Sequence, residues 1–412
     1  MNPAPNAGVE TGPTVASRPG PLVEPGPPLT AQQVSRFSRQ LMLPGFGELA
    51  QRRLAAARVL VVGAGGLGSA LVPYLAGSGV GTIGLVDDDT VELSNLHRQV
   101  SHGVADVGRP KVDSLADAVA SIDPACRVIR HRDRLTSANA LEVLAGYDLV
   151  VDGSDNFPTR YLVNDAALLA GIPLVWGSIL RFHGQVGVSW HASGPTYRDL
   201  FPVPPSPDEV LSCAQGGVLP SVCAWVGALM STEVVKLVTG VGEPLLGRVT
   251  TIDALSGRSR ELSYRAIADA AEITSLVDYE LFCGLPTATS TGATEADAAA
   301  AALAEASAPR GVTAADLLAR VRGGEPVRLL DVREPAEAEL RRIEGSELLP
   351  LGDLVAGAEP HPGDAPLVVY CEQDLRSRRA ARLLLERGHD DVVFLVGGID
   401  RFASVADDLV QR

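Results

Sequence analysis

The chain has 412 residues, 46% of them apolar, which is more than one ordinary domain needs and enough to build real cores. Its formal charge of −15 excludes the broad basic footprint of a nucleic-acid binder, although a local pocket still decides whether a nucleotide binds. Lysine occurs only at Lys111 and Lys236, so a lysine inside a motif is less apt to be incidental.

Residues 1–30 are rich in Pro, Gly and Ala and lack the charged start and apolar run of a signal peptide, so they read as a disordered tail. A helical pattern with Arg and Gln starts near Ala31. Arg58–Gly63 reads as a buried strand, Leu67–Gly77 as a helix and Thr82–Val86 as a second strand. Val59–Val86 carries no charge and is long enough to span a bilayer, but its eight glycines and Pro73 fit strand, helix and strand better, so no membrane span is expected. Leu149–Asp152 ends a later strand, Phe157–Ala170 is helical and Leu174–Gly177 is a strand. Strands alternating with helices imply an α/β fold with a Rossmann-like, mostly parallel sheet. Gln185–Trp190 alternates weakly, and Arg248–Asp253 with Ser259–Tyr264 reads as a hairpin, so the sheet becomes mixed at its end. Ser221–Thr239 is apolar nearly all round and reads as a buried helix.

Residues 286–310 are an Ala, Thr, Ser and Glu stretch without apolar periodicity, which reads as a linker. As a flexible coil it would reach roughly 25–30 Å. From Gly311 a second, smaller α/β pattern runs helix, strand, helix, strand, helix, strand. The expected organisation is a tail at 1–30, a nucleotide domain at 31–285, a linker at 286–310 and a second domain at 311–412.

Val59–Gly68 reads VLVVGAGGLG. Gly63, Gly65 and Gly68 form a Gly-x-Gly-x-x-Gly turn between strand and helix, where glycine lets the backbone approach phosphate and the helix start favours negative charge. Asp87 ends the next strand, where an acid can hold a ribose hydroxyl. This much fits an NAD enzyme or an ATP enzyme. The tie breaks downstream, at Asp87–Gln99 (DDDTVELSNLHRQ), at Gly108-Arg109-Pro110-Lys111 and at GSDNFPTRYLVND from Gly153. Hydride transfer has no use for two cations and a second carboxylate beside its phosphates. Adenylation needs them: Arg and Lys offset charge growing on the α-phosphate and pyrophosphate, and an Asp holds Mg²⁺.

The combination of GAGGLG, SNLHRQ, GRPK and SDN resembles the MoeB/ThiF family, prokaryotic relatives of ubiquitin-activating enzymes, over roughly residues 31–283. The resemblance implies adenylation of the C-terminal glycine of a ubiquitin-like sulfur carrier ending in Gly-Gly. It implies that Mg·ATP is bound by Gly63, Gly65, Gly66, Asp87, Ser94, Asn95, Leu96, His97, Arg98, Lys111, Asp155 and Asn156, with Arg98 and Lys111 on the phosphates and Asp155 on the metal. Arg39, second arginine of the Arg36-Phe-Ser-Arg39 motif, maps to a residue that reaches the partner subunit's site, which implies a homodimer.

Five cysteines, odd in number and without a Cys-x-x-Cys pair, argue against a disulfide framework and fit a reducing, cytoplasmic setting. Cys213 lies in LSCAQGGVLP, among small residues that suggest an accessible loop. The family places there a cysteine that can bond covalently to the carrier, by attack of its thiolate. Cys223 reads as core and Cys126 as structural. Many family members hold a zinc on two Cys-x-x-Cys pairs. Here those positions are Thr196, Asp199, Glu280 and Cys283, one thiolate of four, so no zinc is expected.

In the second domain, Leu329-Leu-Asp331-Val-Arg333-Glu334 ends one strand, and Pro366–Tyr370 is a strand ending in Cys371. A cysteine between a strand end and a helix start is well placed to be held as an anion. Arg376 follows five residues on; a cysteine phosphatase wants its arginine one position later, where Ser377 stands. With DVRE and GGI, this loop resembles a rhodanese domain, which implies that Cys371 carries a persulfide and Arg376 helps hold it. Glu372 and Asp374 depart from the usual loop and are expected to repel small anionic donors such as thiosulfate.

The leading expectation is an adenylyltransferase and sulfurtransferase that uses ATP, a carrier and a persulfide donor such as a cysteine desulfurase. The alternatives are an NAD(P)-dependent oxidoreductase with a regulatory rhodanese domain, and an adenylyltransferase whose rhodanese domain is an inactive docking module.

Overall fold

A computed structural model describes residues 19–204, 217–268, 270, 272–283, 309–372 and 374–411. They fall into two compact units, one of residues 19–283 and one of residues 309–411. The expected linker at 286–310 lies almost wholly outside the described residues.

The first unit is built on an eight-stranded sheet. Its strands are β1 (Arg58–Val62), β2 (Thr82–Val86), β3 (Arg127–His131), β4 (Leu149–Asp152), β5 (Leu174–Leu180), β6 (His183–Ser189), β7 (Arg248–Asp253) and β8 (Arg258–Ser263), in the order β3-β2-β1-β4-β5-β6-β7-β8. The first five run parallel, with Val59 opposite both Ile83 and Leu149. β1, β2 and β4 are apolar runs because helices cover both faces of the sheet. The last three strands add antiparallel. The strand order reverses between β1 and β4, and in such sheets ligands bind beyond the carboxyl ends of the strands at that point. The three nucleotide motifs all lie there: Gly63 follows β1, Asp87 follows β2 and Gly153 follows β4.

Local chemistry fixes the helix limits. Thr30 and Gln33 form a capping box at helix Ala31–Arg36. Asn156 accepts from the Thr159 amide to cap helix Phe157–Ala170, which Gly171 ends in the left-handed conformation. The expected helix 221–239 runs Pro220–Thr239 and is not buried all round: Ser221, Ala224, Trp225 and Thr232 are exposed along one stripe. It is long and apolar enough to span a bilayer, but 61% of its apolar window is buried inside the fold, as in a core helix.

The expected tail needs correction from residue 19 onward. Val23 is buried in the core of the first unit, the Leu22 amide donates to the Leu237 carbonyl, the Gly26 amide donates to the Arg52 carbonyl and Arg52 Nε donates to the Gly26 carbonyl. Composition cannot show that a Pro-rich segment lies along a helix and puts two apolar side chains against it.

The second unit has a parallel five-stranded sheet in the order β12-β10-β13-β14-β9. Its strands are β9 (Arg310–Val312), β10 (Arg328–Asp331), β12 (Glu347–Leu348), β13 (Leu367–Tyr370) and β14 (Val392–Leu395), and β11 (Arg342–Ile343) pairs with β15 (Val410–Gln411) apart from it. The pattern from Gly311 misses β9 and the two-residue strands, which are too short to carry periodicity. β10 and β13 lie side by side, with Asp331 opposite Tyr370, so Cys371 emerges from the middle of the sheet next to the end of β10.

Candidate active sites

The switch point of the first sheet opens into a cavity of about 480 Å³. Its floor is the glycine turn. Gly63 has φ +93°, a conformation open to glycine, and an added Cβ would lie 2.9 Å from the Gly153 carbonyl. At Gly68 an added Cβ would lie 2.0 Å from the Gly63 carbonyl, so strand and helix close on each other only with glycine there. Gly65 faces the cavity with nothing nearer than the Gln99 amide.

Gly63, Gly65, Gly66, Asp87, Asn95, Arg98, Lys111, Asp155 and Asn156 line the cavity together, as expected from the motifs. Ser94, Leu96 and His97 do not. The short 3₁₀ turn Leu93–Asn95 sends the Ser94 hydroxyl to Glu92 at 3.0 Å, and exposed His97 lies 2.9 Å from the Arg98 guanidinium. Arg39 is exposed on helix Ser38–Leu41 and does not line the cavity. Cys213 lies outside the described residues.

Asp87 accepts from the Ala64 amide at 2.7 Å and the Asp89 amide at 2.9 Å. Burial pushes its carboxyl above the usual carboxylate range, with Lys111 and those two amides working against the rise. Lys111 is 6% exposed and its Nζ lies 2.7 Å from Asp89 Oδ2. Asp155 is exposed at the cavity wall, one residue before the cap of helix 157–170. Sequence reasoning missed Gln99, Arg134, Arg160 and Ile179 as lining residues. Arg160 was within reach: it follows Asn156 by four, so it rises from the first turn of the helix that Asn156 caps, and it donates to the Ser154 carbonyl at 2.9 Å. Arg134 lies in an irregular segment, paired with Glu280 at 2.8 Å, and no spacing announces it. With Arg98 and Lys111, these residues set four cations around the cavity of an acidic chain.

At Thr196, Asp199 and Glu280, three of the four positions weighed for a zinc site, the side chains and backbone make other bonds. The Thr196 amide and hydroxyl both donate to Asp199 Oδ2, at 2.7 and 3.0 Å, and Glu280 takes Arg134. Between them Arg198 forms a two-pronged pair with buried Asp165, at 2.8 and 2.7 Å, and Tyr279 donates to the same carboxylate at 2.6 Å. Arg198 also lies over Phe282 and Tyr161, at 4.6 and 5.1 Å from the ring centres.

In the second unit Cys371 is 2% exposed, with Sγ 3.5 Å from Ser377 Oγ. The expected repulsion by Glu372 and Asp374 is not what the geometry gives. Glu372 pairs with Arg333 at 2.9 Å and with Arg341, and Asp374 accepts from the Gly397 amide at 2.7 Å. Glu372 is paired with arginines 31 and 39 residues away in sequence, while Asp374 has Arg378, four residues on, at 3.8 Å as its cation. Arg376 is buried too, gripped by both oxygens of Glu337 at 2.6 Å each. Arg333 and Asp331 form a fully buried pair beneath the loop, at 2.6 Å.

This architecture defines a nucleotide-binding domain of the adenylating kind joined to a sulfur-handling domain. The ThiF family model matches residues 37–271 and the rhodanese-like domain model residues 313–404, and the chain belongs to the ThiF family. An adenylyltransferase/sulfurtransferase named MoeZ from Mycobacterium tuberculosis is 47% identical over 389 residues, covering 93% of this chain and 96% of that protein. A sulfur carrier protein adenylyltransferase of Thermus thermophilus is 49% identical over 267 residues, 62% of this chain and 98% of its own. The adenylyltransferase and sulfurtransferase MOCS3 of Bos taurus is 39% identical, covering 93% and 89%. Among solved structures, E. coli MccB with AMPCPP and MccA shares the fold at TM-score 0.53 and 20% identity, over 59% of this chain and 74% of that one. The oxidoreductase alternative is set aside by these relatives.

Proposed function

We propose that the protein adenylates the C-terminal glycine of a ubiquitin-like sulfur carrier with ATP and then directs sulfur to the activated acyl group. The observation that carries the first step is the cavity at the switch point, with a glycine floor, four cations and an exposed aspartate. Arg98 and Lys111, with Arg134 and Arg160, offset charge as the carrier carboxylate attacks the α-phosphate and pyrophosphate leaves. Asp155 is the residue assigned to hold Mg²⁺; it is exposed in a cavity that it lines together with four cations and with the carboxylates of Asp87, Asp88, Asp89 and Glu92, an oxygen-rich donor set of the kind a hard divalent ion takes, and the ion when bound would neutralise phosphate charge. Asp87 is assigned to the ribose. Exposed Arg39 is assigned to the site of a second subunit in a homodimer.

Sulfur follows through Cys371. The outer sulfur of a persulfide formed there by a protein donor such as a cysteine desulfurase attacks the acyl-adenylate, so that AMP leaves and an acyl disulfide forms. Attack on the Cys371 sulfur by a second thiol, Cys213 or an external one, then breaks the S–S bond, releases the thiocarboxylate and leaves a disulfide that a thiol reductant reopens. We assign the domain limits as 31–285 and 311–412 and the setting as cytoplasm. Zinc is not part of the proposal, because the Asp165–Arg198–Tyr279 cluster fastens the segments around 196–201 and 279–283 that a metal would otherwise join.

ATP–pyrophosphate exchange with small carriers ending in Gly-Gly tests the proposal. Exchange that depends on such a carrier is expected; its absence with every carrier, in protein that binds ATP, would leave the cavity without its assigned acceptor.

A further inference from the structure

Beneath the glycine turn lies a buried imidazole that the reading above does not use. His102 is 6% exposed. Its Nε2 lies 3.0 Å from the Ala64 carbonyl oxygen and its Nδ1 2.8 Å from Ser114 Oγ. A carbonyl only accepts, so Nε2 carries the proton and donates; in the neutral ring Nδ1 then accepts from the Ser114 hydroxyl. Burial holds the ring below the usual imidazole range, and Lys111 acts in the same direction, against the Ala64 carbonyl, Asp106 and Asp87. The neutral tautomer is the resting form.

Each end of this bridge lands on the nucleotide machinery. Ala64 sits between Gly63 and Gly65, and its own amide is held by Asp87 at 2.7 Å. Both backbone groups of one turn residue are therefore fixed by side chains from outside the turn. The carbonyl of Ala64 and the N–H of Gly65 belong to one trans peptide, so they point to opposite sides of it. Drawing the carbonyl down onto His102 turns the Gly65 N–H the other way, and Gly65 lines the cavity. Glycine at 65 offers little resistance to a flipped peptide, which would put an oxygen where phosphate belongs. At the other end, Ser114 follows Lys111 by three on helix Lys111–Ile122, so the two share a helix face.

We infer that His102 is a positioning residue for adenylation: it aims the Gly65 amide at the phosphates and holds the Lys111 helix at matching distance. This rests on the adenylation reading of the cavity. The test is Mg·ATP affinity and melting temperature of the full-length protein, without carrier, for the unaltered chain and for His102→Ala, His102→Gln and His102→Asn. Gln places an amide N–H near the Nε2 position, whereas Asn is too short to reach Ala64. His102→Ala and His102→Asn are expected to weaken ATP binding about tenfold or more, and His102→Gln to restore it to within about threefold. Should His102→Ala not fold, the Gln and Asn pair carries the comparison. Affinity within twofold of the unaltered chain for His102→Ala or His102→Asn, or equal losses in Gln and Asn that track melting temperature, would overturn the positioning role. Failure of the unaltered protein to bind ATP would instead overturn the adenylation reading itself, and this inference with it.

Discussion

After β1 the chain turns through Gly63-Ala64-Gly65-Gly66, three glycines in four residues; after β13 it turns through Cys371-Glu372-Gln373-Asp374, a cysteine followed by two acids and an amide. Both turns leave an interior parallel strand and enter a helix. The first is nearly all backbone, and it borders a cavity lined by both cations and carboxylates. In the second, among the described residues, the charges are paired with neighbours: Glu372 with Arg333 and Arg341, Asp374 with Arg378 and the Gly397 amide, Arg376 with Glu337. One position in the α/β plan thus carries a glycine turn that opens on a cavity in one unit and a turn flanked by paired charges in the other.

The largest effect is expected from a side chain placed where the first turn forbids one. Gly68→Ala sets a Cβ 2.0 Å from the Gly63 carbonyl and should destabilise the first unit by about 3 kcal/mol or more and remove ATP binding, whereas Gly77→Ala, with nothing within 4 Å, should change neither. Calorimetric melting of both variants checks this. Equal melting would mean that the turn tolerates what its geometry says it cannot.

Next come the chemical groups. Asp155→Ala should lower carrier-dependent pyrophosphate exchange by about a hundredfold or more while leaving melting unchanged. Cys371→Ala should do the reverse, keeping exchange and losing carrier thiocarboxylate measured by mass with a protein persulfide donor. If Cys371→Ala makes as much thiocarboxylate as the unaltered chain, the second unit is a docking module and not the sulfur source.

A milder change sharpens what closes the second turn. Glu337→Gln should loosen Arg376 and raise sulfur transfer from thiosulfate several-fold, with pyrophosphate exchange untouched. A fall would mean that Glu337 holds Arg376 where it works. The smallest effect is one of pH. Burial pushes the Glu337 carboxyl up, but the Arg376 bonds prevail and hold it below the usual 4.5. A depressed folded value means that the pair stabilises above the unfolded value and is lost as pH falls through the folded one. The melting difference between the unaltered chain and Glu337→Gln should therefore be constant near neutrality and vanish in acid.

How much of this was legible depended on distance along the chain. The strand and helix limits at 82–86, 149–152 and 157–170 follow from apolar runs, an Asn cap and a glycine stop, all local. The cavity followed because its motifs stand at strand ends, where the parallel plan gathers them. The Glu337–Arg376 pair and the Arg333–Glu372 pair each join residues 39 apart, and no periodicity carries that information. Glu337 is visible in sequence only as the partner of Glu334 in a helix cap. Counting charges on the loop alone shows Glu372 and Asp374 as repulsive and leaves out Arg333 after β10 and Arg341 before β11, which pair with Glu372, and Arg378, which lies 3.8 Å from Asp374.

The Pro-rich segment at 19–26 has a consequence for how the protein meets proteases. Pro21 packs at Gly240, where an added Cβ would lie 3.1 Å away, and Val23 is sealed into the core. A peptide bond must be drawn out extended into a protease cleft before it is cut, so cleavage between residues 19 and 26 requires this strap to peel from the helix end first. The segment should resist nicking as long as the fold beneath it holds. The rate at which it is cut then becomes a gauge of how often the end of helix Pro220–Thr239 opens.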